Sequence, residues 1–322
     1  MGTWPRPLPQ LCSGTFPSVP EIPIAGSVMF VTAPRASLAE ALMMIRETAV
    51  VTDSASYLPA EVIERFGIAV VPITVVVDGT AYREFIDLDA PEFYRRLAAG
   101  AQVGTSQPPP GSFLDQYDRL GAIGAERIVS IHIGAAMSGT LNSARIAAEM
   151  SAIPVHVIDS GQASFIEGLC VWEGCEVLAA GGSTGEMAEA VRRAGEQAGN
   201  VFIVGGTSLL KRGGRMTDDP GAAVPILALV DGAIIPVAAA STVGEALARM
   251  VEWLEAAMQK EPAKRFRVGV ANGDADELAG ELEARVRELP GVAEVVPYVI
   301  GPAVGAHTGP GCTGLSFLGR PV

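Results

Sequence analysis

Three observations predict an α/β protein of two domains. From Ala49 to Asp159, short apolar runs alternate with amphipathic stretches, which is the pattern of a parallel sheet with crossover helices. After residue 162 the pattern becomes less regular. There the turn Asp231-Gly232 between two apolar runs indicates an antiparallel hairpin. We therefore expect an N-terminal parallel-sheet α/β domain over residues 47–162 and a C-terminal α+β domain over residues 163–322.

The predicted helices of the first domain have recognisable ends. Pro59 suits the first turn of a helix, since the fixed φ of proline matches helical geometry. Gly67 ends this helix. Asp89 opens a second helix, which stops at Gly100. A third helix is expected over 138–150.

Polar residues follow the predicted strands of the first domain. These strands are 49–53, an extended run over 68–77 that Pro72 breaks, 127–133 and 155–159. Parallel strands share one carboxyl edge, and ligands bind beyond that edge. We therefore expect the Asp53-Ser54 pair, the segment from His132 to Ser138 and the Asp159-Ser160 pair to lie together.

The second domain mixes helices with the hairpin. Ser183 and Glu186 form a capping box for a helix that runs to about residue 198. The other predicted helices cover 244–258 and 274–289, and the predicted strands cover 201–205, 222–230, 233–237, 267–271 and 295–300. The glycines and two prolines of segment 301–311 predict a shaped loop that carries His307.

Composition excludes several classes of function. Hydrophobic residues make up 49% of the 322 residues, which excludes disorder as the main state. The net charge of −13 argues against general nucleic-acid binding. No apolar run approaches the roughly 18 residues of a membrane span, so any contact with a membrane should be transient and at its surface. The four cysteines and three histidines show no metal-ligand spacing and no disulfide pattern. We expect no metal, no cofactor, reduced thiols and a cytoplasmic protein.

Residues 1–46 differ from the rest of the chain. Prolines are frequent up to Pro23, and no acidic residue precedes Glu21. The segment lacks the basic head and uninterrupted apolar stretch of a targeting signal, so we expect a poorly ordered extension. Met43 and Met44 lie just before the first strand and offer alternative translation starts.

Three polar segments predict an anion-binding site. Thr105 and Ser106 offer hydroxyls in a proline-rich turn. Ser138 begins a helix, where unpaired amides and the positive end of the helix dipole attract anions. His307 adds an imidazole. Each has a structural alternative, since the turn could cap the helix near Gly111, Ser138 could be an ordinary N-cap, and a lone histidine is often structural.

Other polar residues also have two interpretations. The run 211–215 (Lys-Arg-Gly-Gly-Arg) suits a phosphate clamp or a basic surface turn. Asp53 and Asp159 suit a base, a metal ligand or a turn cap. His132 and His156 lie within apolar strands and are predicted to be core residues.

Two classes of enzyme fit less well. A serine hydrolase would use Ser138 as its nucleophile with His307 and an aspartate, but no Gly-x-Ser-x-Gly sequence surrounds Ser138. A dinucleotide-binding protein would need Gly-x-Gly-x-x-Gly after its first strand, where this chain has Asp-Ser-Ala-Ser.

Six short motifs, in this order, resemble the DegV family, the fatty-acid-binding subunits of bacterial fatty acid kinase. They are 51–56 (Val-Thr-Asp-Ser-Ala-Ser), 105–108 (Thr-Ser-Gln-Pro), 138–140 (Ser-Gly-Thr), 157–160 (Val-Ile-Asp-Ser), 213–215 (Gly-Gly-Arg) and 306–309 (Ala-His-Thr-Gly). The resemblance covers about residues 47–318 and does not extend to residues 1–46.

The resemblance implies a DegV-like fold of two domains, with a long-chain fatty acid buried within the protein. Because the sequence shows no nucleotide loop, no metal cluster and no convincing nucleophile, we expect no catalysis by the chain alone. The residues that it assigns to the carboxylate are Thr105, Ser138 and His307, with Ser106, Gly139 and Thr140 as neighbours. It places Arg215 against the acyl phosphate or the kinase.

The resemblance further implies a partner, a dihydroxyacetone-kinase-like, ATP-binding subunit that phosphorylates the bound acid. One departure counts against this partner. After the second-domain hairpin, where related kinase subunits place an arginine, the run 237–242 (Val-Ala-Ala-Ala-Ser-Thr) is uncharged. Lipid binding survives that loss, because each buried methylene contributes about 0.8 kcal/mol. A lipid carrier without a kinase partner is therefore an alternative, and the serine hydrolase is a weaker one.

Overall fold

Three β-sheets organise the chain in the computed structural model, which describes residues 47–216 and 224–321. The predicted extension over residues 1–46 lies outside the described residues. The strands are β1 Thr48–Asp53, β2 Ala69–Val71, β3 Thr74–Val77, β4 Thr80–Arg83, β5 Val103–Ser106, β6 Arg127–His132, β7 Val155–Asp159, β8 Gly199–Ile203, β9 Val224–Val230, β10 Ala233–Ala240, β11 Lys264–Gly273, β12 Val292–Val299 and β13 Cys312–Pro321. The helices are α1 Ala60–Phe66, α2 Ala90–Ala98, α3 Pro110–Ala122, α4 Thr140–Met150, α5 Phe165–Ala179, α6 Thr184–Gln197, α7 Ser208–Arg212, α8 Val243–Lys260, α9 Asp276–Arg287 and α10 Pro302–Thr308.

The first sheet has the order β2-β1-β6-β7 and is parallel throughout, as predicted. Its carboxyl edge brings the expected polar residues together. The buried carboxylate of Asp53 accepts hydrogen bonds from the amides of Ala55 and Ile133, each at 3.1 Å, and lies 3.1 Å from Nδ1 of His132. Asp159 accepts from the amide of Gly161 at 2.9 Å. Both aspartates therefore hold the turns that leave the strands.

The two histidines of this sheet differ in their surroundings. His132 is fully buried, as predicted. The prediction for His156 is wrong, because its side chain is exposed. His156 lies on β7, which is an edge strand, and alternate residues of an edge strand face solvent.

The second sheet is antiparallel, with the order β4-β3-β5, and the sequence did not predict it. Pro72 divides the predicted run 68–77 into β2 and β3, which belong to different sheets. The segment expected to be a turn before the prolines begins as strand β5, where Thr105 pairs with Val75. A four-residue strand that contains Gly104 has little of the apolar alternation that marks a strand.

The third sheet has the order β10-β9-β8-β13-β11-β12 and contains the predicted hairpin of β9 and β10. The sequence did not predict β13, although this strand lies between β8 and β11 and is antiparallel to both. The prediction of a loop over 301–311 is also wrong, since α10 occupies most of that segment. Pro302 is in its first turn, and Gly305 permits close packing: a Cβ there would lie 2.8 Å from the hydroxyl of Tyr94.

Helix α5 joins the first and third sheets through a shared core. It is apolar on most of its circumference, and ten of its fifteen residues are buried. Its core cluster includes Val50 and Val129 of the first sheet together with Val296 and Leu318 of the third. The predicted domain boundary between residues 162 and 163, just before this helix, stays a prediction.

Replacing Asp53 by alanine should destabilise the fold strongly. The change removes the acceptor of two buried amides and the partner of His132, which would leave buried donors unpaired. We expect a loss of about 3 to 5 kcal/mol in the free energy of unfolding, measured by urea denaturation. Asp159→Ala is the control, and it should cost about 1 kcal/mol because Asp159 is exposed. Equal, small losses in both variants would contradict this role for Asp53.

Candidate functional site

A cavity lies where the three sheets meet. It encloses about 1110 Å³ of empty space, including the part that opens to solvent. Most of its wall is apolar, and the apolar side chains that line it are those of Ala55, Ile73, Ile133, Met137, Ala163, Ile166, Phe202, Leu210, Leu229, Ile234, Ala271, Ile300, Ala303, Val304 and Leu315. Such a wall suits the burial of a hydrocarbon chain.

The three residues predicted to hold a carboxylate line this one cavity. Thr105 comes from the end of β5, Ser138 from the loop before α4, and His307 from the last turn of α10. Oγ1 of Thr105 and Nε2 of His307 lie 2.9 Å apart. The structure therefore brings together residues that are about 200 positions apart in the chain.

The predicted neighbours divide into two groups. Ser106 and Gly139 line the cavity. Thr140 is fully buried behind it, where its hydroxyl lies 2.9 Å from Oγ of Ser138 and its amide donates to the same oxygen at 3.3 Å. Thr140 thus holds Ser138 in place and has no surface on the cavity.

Arg215 lies in the wall of the same cavity. Its guanidinium donates to the carbonyl oxygens of Gly213 and, at 3.2 Å, of Met137. Burial lowers the pKa of this guanidinium, which still remains charged at neutral pH. Among the lining residues that the structure describes, Arg215 is the only arginine, lysine, aspartate or glutamate. The resemblance assigned it to a phosphate or a kinase, and its position in the wall also suits the carboxylate.

His307 is a neutral hydrogen-bonding group at pH 7. Burial, and then the positive charge of Arg215, lower its pKa to about 4. A neutral imidazole offers one N–H donor and one acceptor, so Arg215 supplies the positive charge at this end of the cavity. Gly213 makes room for the ring, because a Cβ there would lie 2.6 Å from Nδ1 of His307.

Sequence reasoning missed Glu84, which holds the helix that carries His307. Its buried carboxylate accepts from the amide of Ala303 in the first turn of α10 at 2.7 Å, from the hydroxyl of Tyr57 at 3.3 Å, and from Oγ of Ser54. The bond to Ala303 satisfies an amide that the helix itself cannot pair. No local motif marks Glu84, whose partners lie about 30 and 220 residues away.

The geometry does not support a serine hydrolase at this cavity. The imidazole of His307 is bonded to Thr105, and the hydroxyl of Ser138 is bonded to Thr140.

A Ser–His–Asp arrangement does occur elsewhere. Nε2 of His132 lies 2.6 Å from Oγ of Ser130, and its Nδ1 lies 3.1 Å from Asp53. All three side chains have 0% exposure, and Ser130 is also bonded to Tyr117. Because no substrate can reach it, this arrangement is structural.

A surface depression adjoins the polar end of the cavity. It is lined by residues 135–139, 213–215 and 232–235, and it shares Met137, Ser138, Gly139, Arg215 and Ile234 with the cavity. A group held at this end could therefore be reached from the surface.

Comparison with known proteins places the chain in a family. The model of the DegV family matches residues 47–320. The chain belongs to the DegV family. A DegV domain-containing protein of Streptomyces coelicolor is 34% identical over 284 residues, which cover 86% of this chain and 100% of that protein. Another, from Listeria monocytogenes, is 32% identical and covers 85% of this chain and 99% of that protein.

Solved structures of DegV proteins share the fold. A DegV protein from Thermus thermophilus, described as binding fatty acid, has a TM-score of 0.80 at 28% identity and covers 85% of this chain and 100% of its own. The Bacillus subtilis DegV, described as a fatty acid binding protein, has a TM-score of 0.78 at 28% identity, with coverage of 85% and 99%. A stearic-acid-binding protein from Eubacterium ventriosum has a TM-score of 0.73 at 25% identity, with coverage of 84% and 97%.

Two features are absent from residues 47–216 and 224–321. No helix in these ranges is both long enough and apolar enough to cross a membrane. The same ranges contain no group of three or more histidine, cysteine, aspartate or glutamate side chains that could hold a metal ion.

Glu84 should make stability depend on pH. Burial raises its pKa from 4.5 to about 7, so the folded protein binds this proton more tightly than the unfolded chain does. The resulting stabilisation is complete below pH 4.5 and is lost as the pH rises to about 7. From that shift we expect the free energy of unfolding to fall by about 3 kcal/mol across this pH window.

The variant Glu84→Gln, which mimics the protonated carboxyl, should lack this loss. Urea denaturation of both proteins at several pH values between 4.5 and 7.5 measures it. Burial, and to a smaller extent the charges of Asp53 and Glu84, also raise the pKa of Glu167, so most of the Glu167 effect is common to both proteins. Parallel stability curves for the two proteins would contradict the role of Glu84.

Proposed function

We propose that this protein binds one long-chain fatty acid and presents its carboxylate to a partner kinase. The observation that carries the proposal is a mainly apolar cavity in which the polar residues Arg215, Ser138, Thr105 and His307 are neighbours. Thr105 is bonded to His307, the charge of Arg215 acts on His307, and Arg215 donates to the carbonyl of Met137, which precedes Ser138. The matching DegV proteins from Thermus thermophilus and Bacillus subtilis and the matching stearic-acid-binding protein from Eubacterium ventriosum are described as fatty-acid binders, and they support the ligand class.

The alkyl chain supplies most of the affinity. Each methylene that leaves water contributes about 0.8 kcal/mol, so about ten of them contribute roughly 8 kcal/mol before the costs of association. The apolar wall of the cavity provides that environment.

The polar end fixes the direction in which the acid binds. A carboxylate beside Arg215 and Ser138 gains charge-assisted hydrogen bonds, each worth about 1.5 to 3 kcal/mol. The amides at the start of α4 add a favourable partial charge. His307 and Thr105 bond to each other and add a neutral donor.

Phosphorylation would depend on a partner. The described residues around the polar end offer no carboxylate base and no glycine-rich phosphate loop followed by lysine. The adjoining depression leaves Ser138 and Arg215 open to an approaching phosphoryl donor. The uncharged run 237–242 gives such a partner no charge to recognise at that position, so a carrier without a kinase is the competing function.

Two measurements test the proposal in sequence. Native mass spectrometry of protein purified from cells should show an added mass of a C14–C18 acid. An assay with ATP and a dihydroxyacetone-kinase-like subunit should then yield acyl phosphate. A bound acid without acyl phosphate would favour the carrier, and a protein that takes up neither palmitate nor oleate would contradict fatty-acid binding.

The variant Ser138→Ala should bind oleate about tenfold more weakly. Loss of one charge-assisted hydrogen bond costs at least about 1.4 kcal/mol, which is one decade of affinity. Calorimetric titration at neutral pH measures the change. Ser183→Ala is a matched control, because Ser183 caps α6 and does not line the cavity. Unchanged affinity in Ser138→Ala, or an equal loss in the control, would show that Ser138 does not hold the carboxylate.

A further inference from the structure

A second polar cluster lies in the wall of the same cavity. It consists of the hydroxyls of Ser164, Tyr298 and Ser316, which come from the start of α5, from β12 and from β13. Oγ of Ser164 lies 3.4 Å from the hydroxyl of Tyr298, which in turn lies 3.5 Å from Oγ of Ser316. None of these three residues is among those assigned to the carboxylate.

The three hydroxyls do not satisfy one another. Hydrogen bonds between hydroxyls usually span about 2.7 to 2.8 Å, so both contacts are long. Three O–H groups share two contacts, which leaves at least one proton without an acceptor among the residues that the structure describes. Asn200, another polar residue of this wall, differs because its amide exchanges two hydrogen bonds with the backbone of Leu229, at 3.0 and 2.8 Å.

The backbone of Ser164 is strained where its hydroxyl meets the cavity. Its φ of 60° and ψ of −154° belong to a region that glycine occupies almost exclusively. Ser164 is also the N-cap residue of α5, yet its side chain makes no capping hydrogen bond. A serine at this position usually caps the helix. Here its hydroxyl lies instead beside that of Tyr298 in the cavity wall.

Tyr298 is held rigidly in the wall. Its ring stacks on Phe165 with centroids 4.9 Å apart and on Tyr57 with centroids 6.0 Å apart. The hydroxyl therefore has a fixed position, and Tyr298→Phe would remove it while keeping both ring contacts.

The hydroxyls of the cluster make no hydrogen bond with Thr105, Ser138, His307 or Arg215. Cys312 begins β13, close after His307 and the end of α10, and Ser316 is four residues further along the strand. At about 3.3 Å per residue, Ser316 is roughly 13 Å from Cys312. A polar group that meets the cluster would therefore be on an interior carbon of the acyl chain.

We propose that Ser164, Tyr298 and Ser316 form a subsite for an oxygen substituent on the acyl chain, so that the cavity accepts long-chain fatty acids that carry a hydroxyl or oxo group on an interior carbon. The inference rests on the proposed function, because it requires the acyl chain to occupy this cavity. A hydroxyl or oxo oxygen accepts the spare proton, and a ligand hydroxyl can also donate to the free lone pairs of the cluster.

Calorimetric titration with stearate, 10-hydroxystearate, 12-hydroxystearate and 2-hydroxystearate tests the subsite. The wild-type protein should bind at least one of the two interior hydroxy acids as tightly as stearate or more tightly. Tyr298→Phe should weaken binding of that hydroxy acid about three- to tenfold and leave stearate within about twofold. The 2-hydroxy acid places its hydroxyl beside the carboxylate, and Tyr298→Phe should not affect it beyond the change seen for stearate.

Two controls separate the subsite from a general loss of packing. Tyr117→Phe removes another buried tyrosine hydroxyl, one that does not line the cavity, and it should change no affinity. If Tyr298→Phe alters the fold, Ser316→Ala is the second test. It should also weaken binding of the interior hydroxy acid while leaving stearate binding nearly unchanged.

The possible failures are distinguishable. Stearate that binds while both interior hydroxy acids bind at least tenfold more weakly would overturn the subsite and leave the proposed function intact. Equal effects of Tyr298→Phe on stearate and on the interior hydroxy acids would also overturn it. A protein that binds none of the four acids would overturn the proposed function and the subsite together.

Discussion

The carboxylate of Glu84 is the contact on which the geometry of the site depends. It follows β4 of the small antiparallel sheet, accepts from Ser54 just after β1, and accepts from the amide of Ala303 at the start of the helix that carries His307. One buried side chain thus ties the first sheet, the second sheet and α10 together. Burying Glu84 has an energetic cost, which its raised pKa reflects. Burial disfavours the ionised carboxylate, and that is the form that accepts hydrogen bonds best.

The charge distribution of the cavity explains why it suits an amphiphile. Its wall is apolar over most of its area, and its fixed positive charge lies at one end, on Arg215. That charge helps to keep the neighbouring His307 neutral, so a carboxylate bound here would meet one cation and several neutral donors. A ligand with one anionic end and a long apolar body fits this distribution, and the hydroxyls near Tyr298 add a second polar point along its length.

Much of this arrangement could be predicted from sequence, and the failures have physical reasons. The parallel sheet followed from hydrophobic periodicity and the hairpin from the Asp231-Gly232 turn. Three residues of the cavity's polar end, Thr105, Ser138 and His307, were suggested by hydroxyls and a histidine in segments rich in glycine or proline. Segment 301–311 was predicted to be a loop because of its glycines, but Gly305 is there to let α10 pack against Tyr94. Glu84 and Tyr298 could not be found, because their roles depend on partners distant in the chain and no local pattern marks them.

The most direct test of the central claim follows the ionisation of the bound carboxyl group. Oleate labelled with ¹³C at its carboxyl carbon, bound to the protein, reports its pKa through the chemical shift during a pH titration. Beside Arg215 the bound acid should titrate below the ordinary carboxyl range of about 4 to 5, and in Arg215→Ala its pKa should rise by at least about one unit. Arg212→Ala, which removes a nearby exposed charge outside the cavity wall, should leave the titration unchanged. Identical titrations in the wild-type protein and in Arg215→Ala would contradict the claim that this arginine holds the carboxylate.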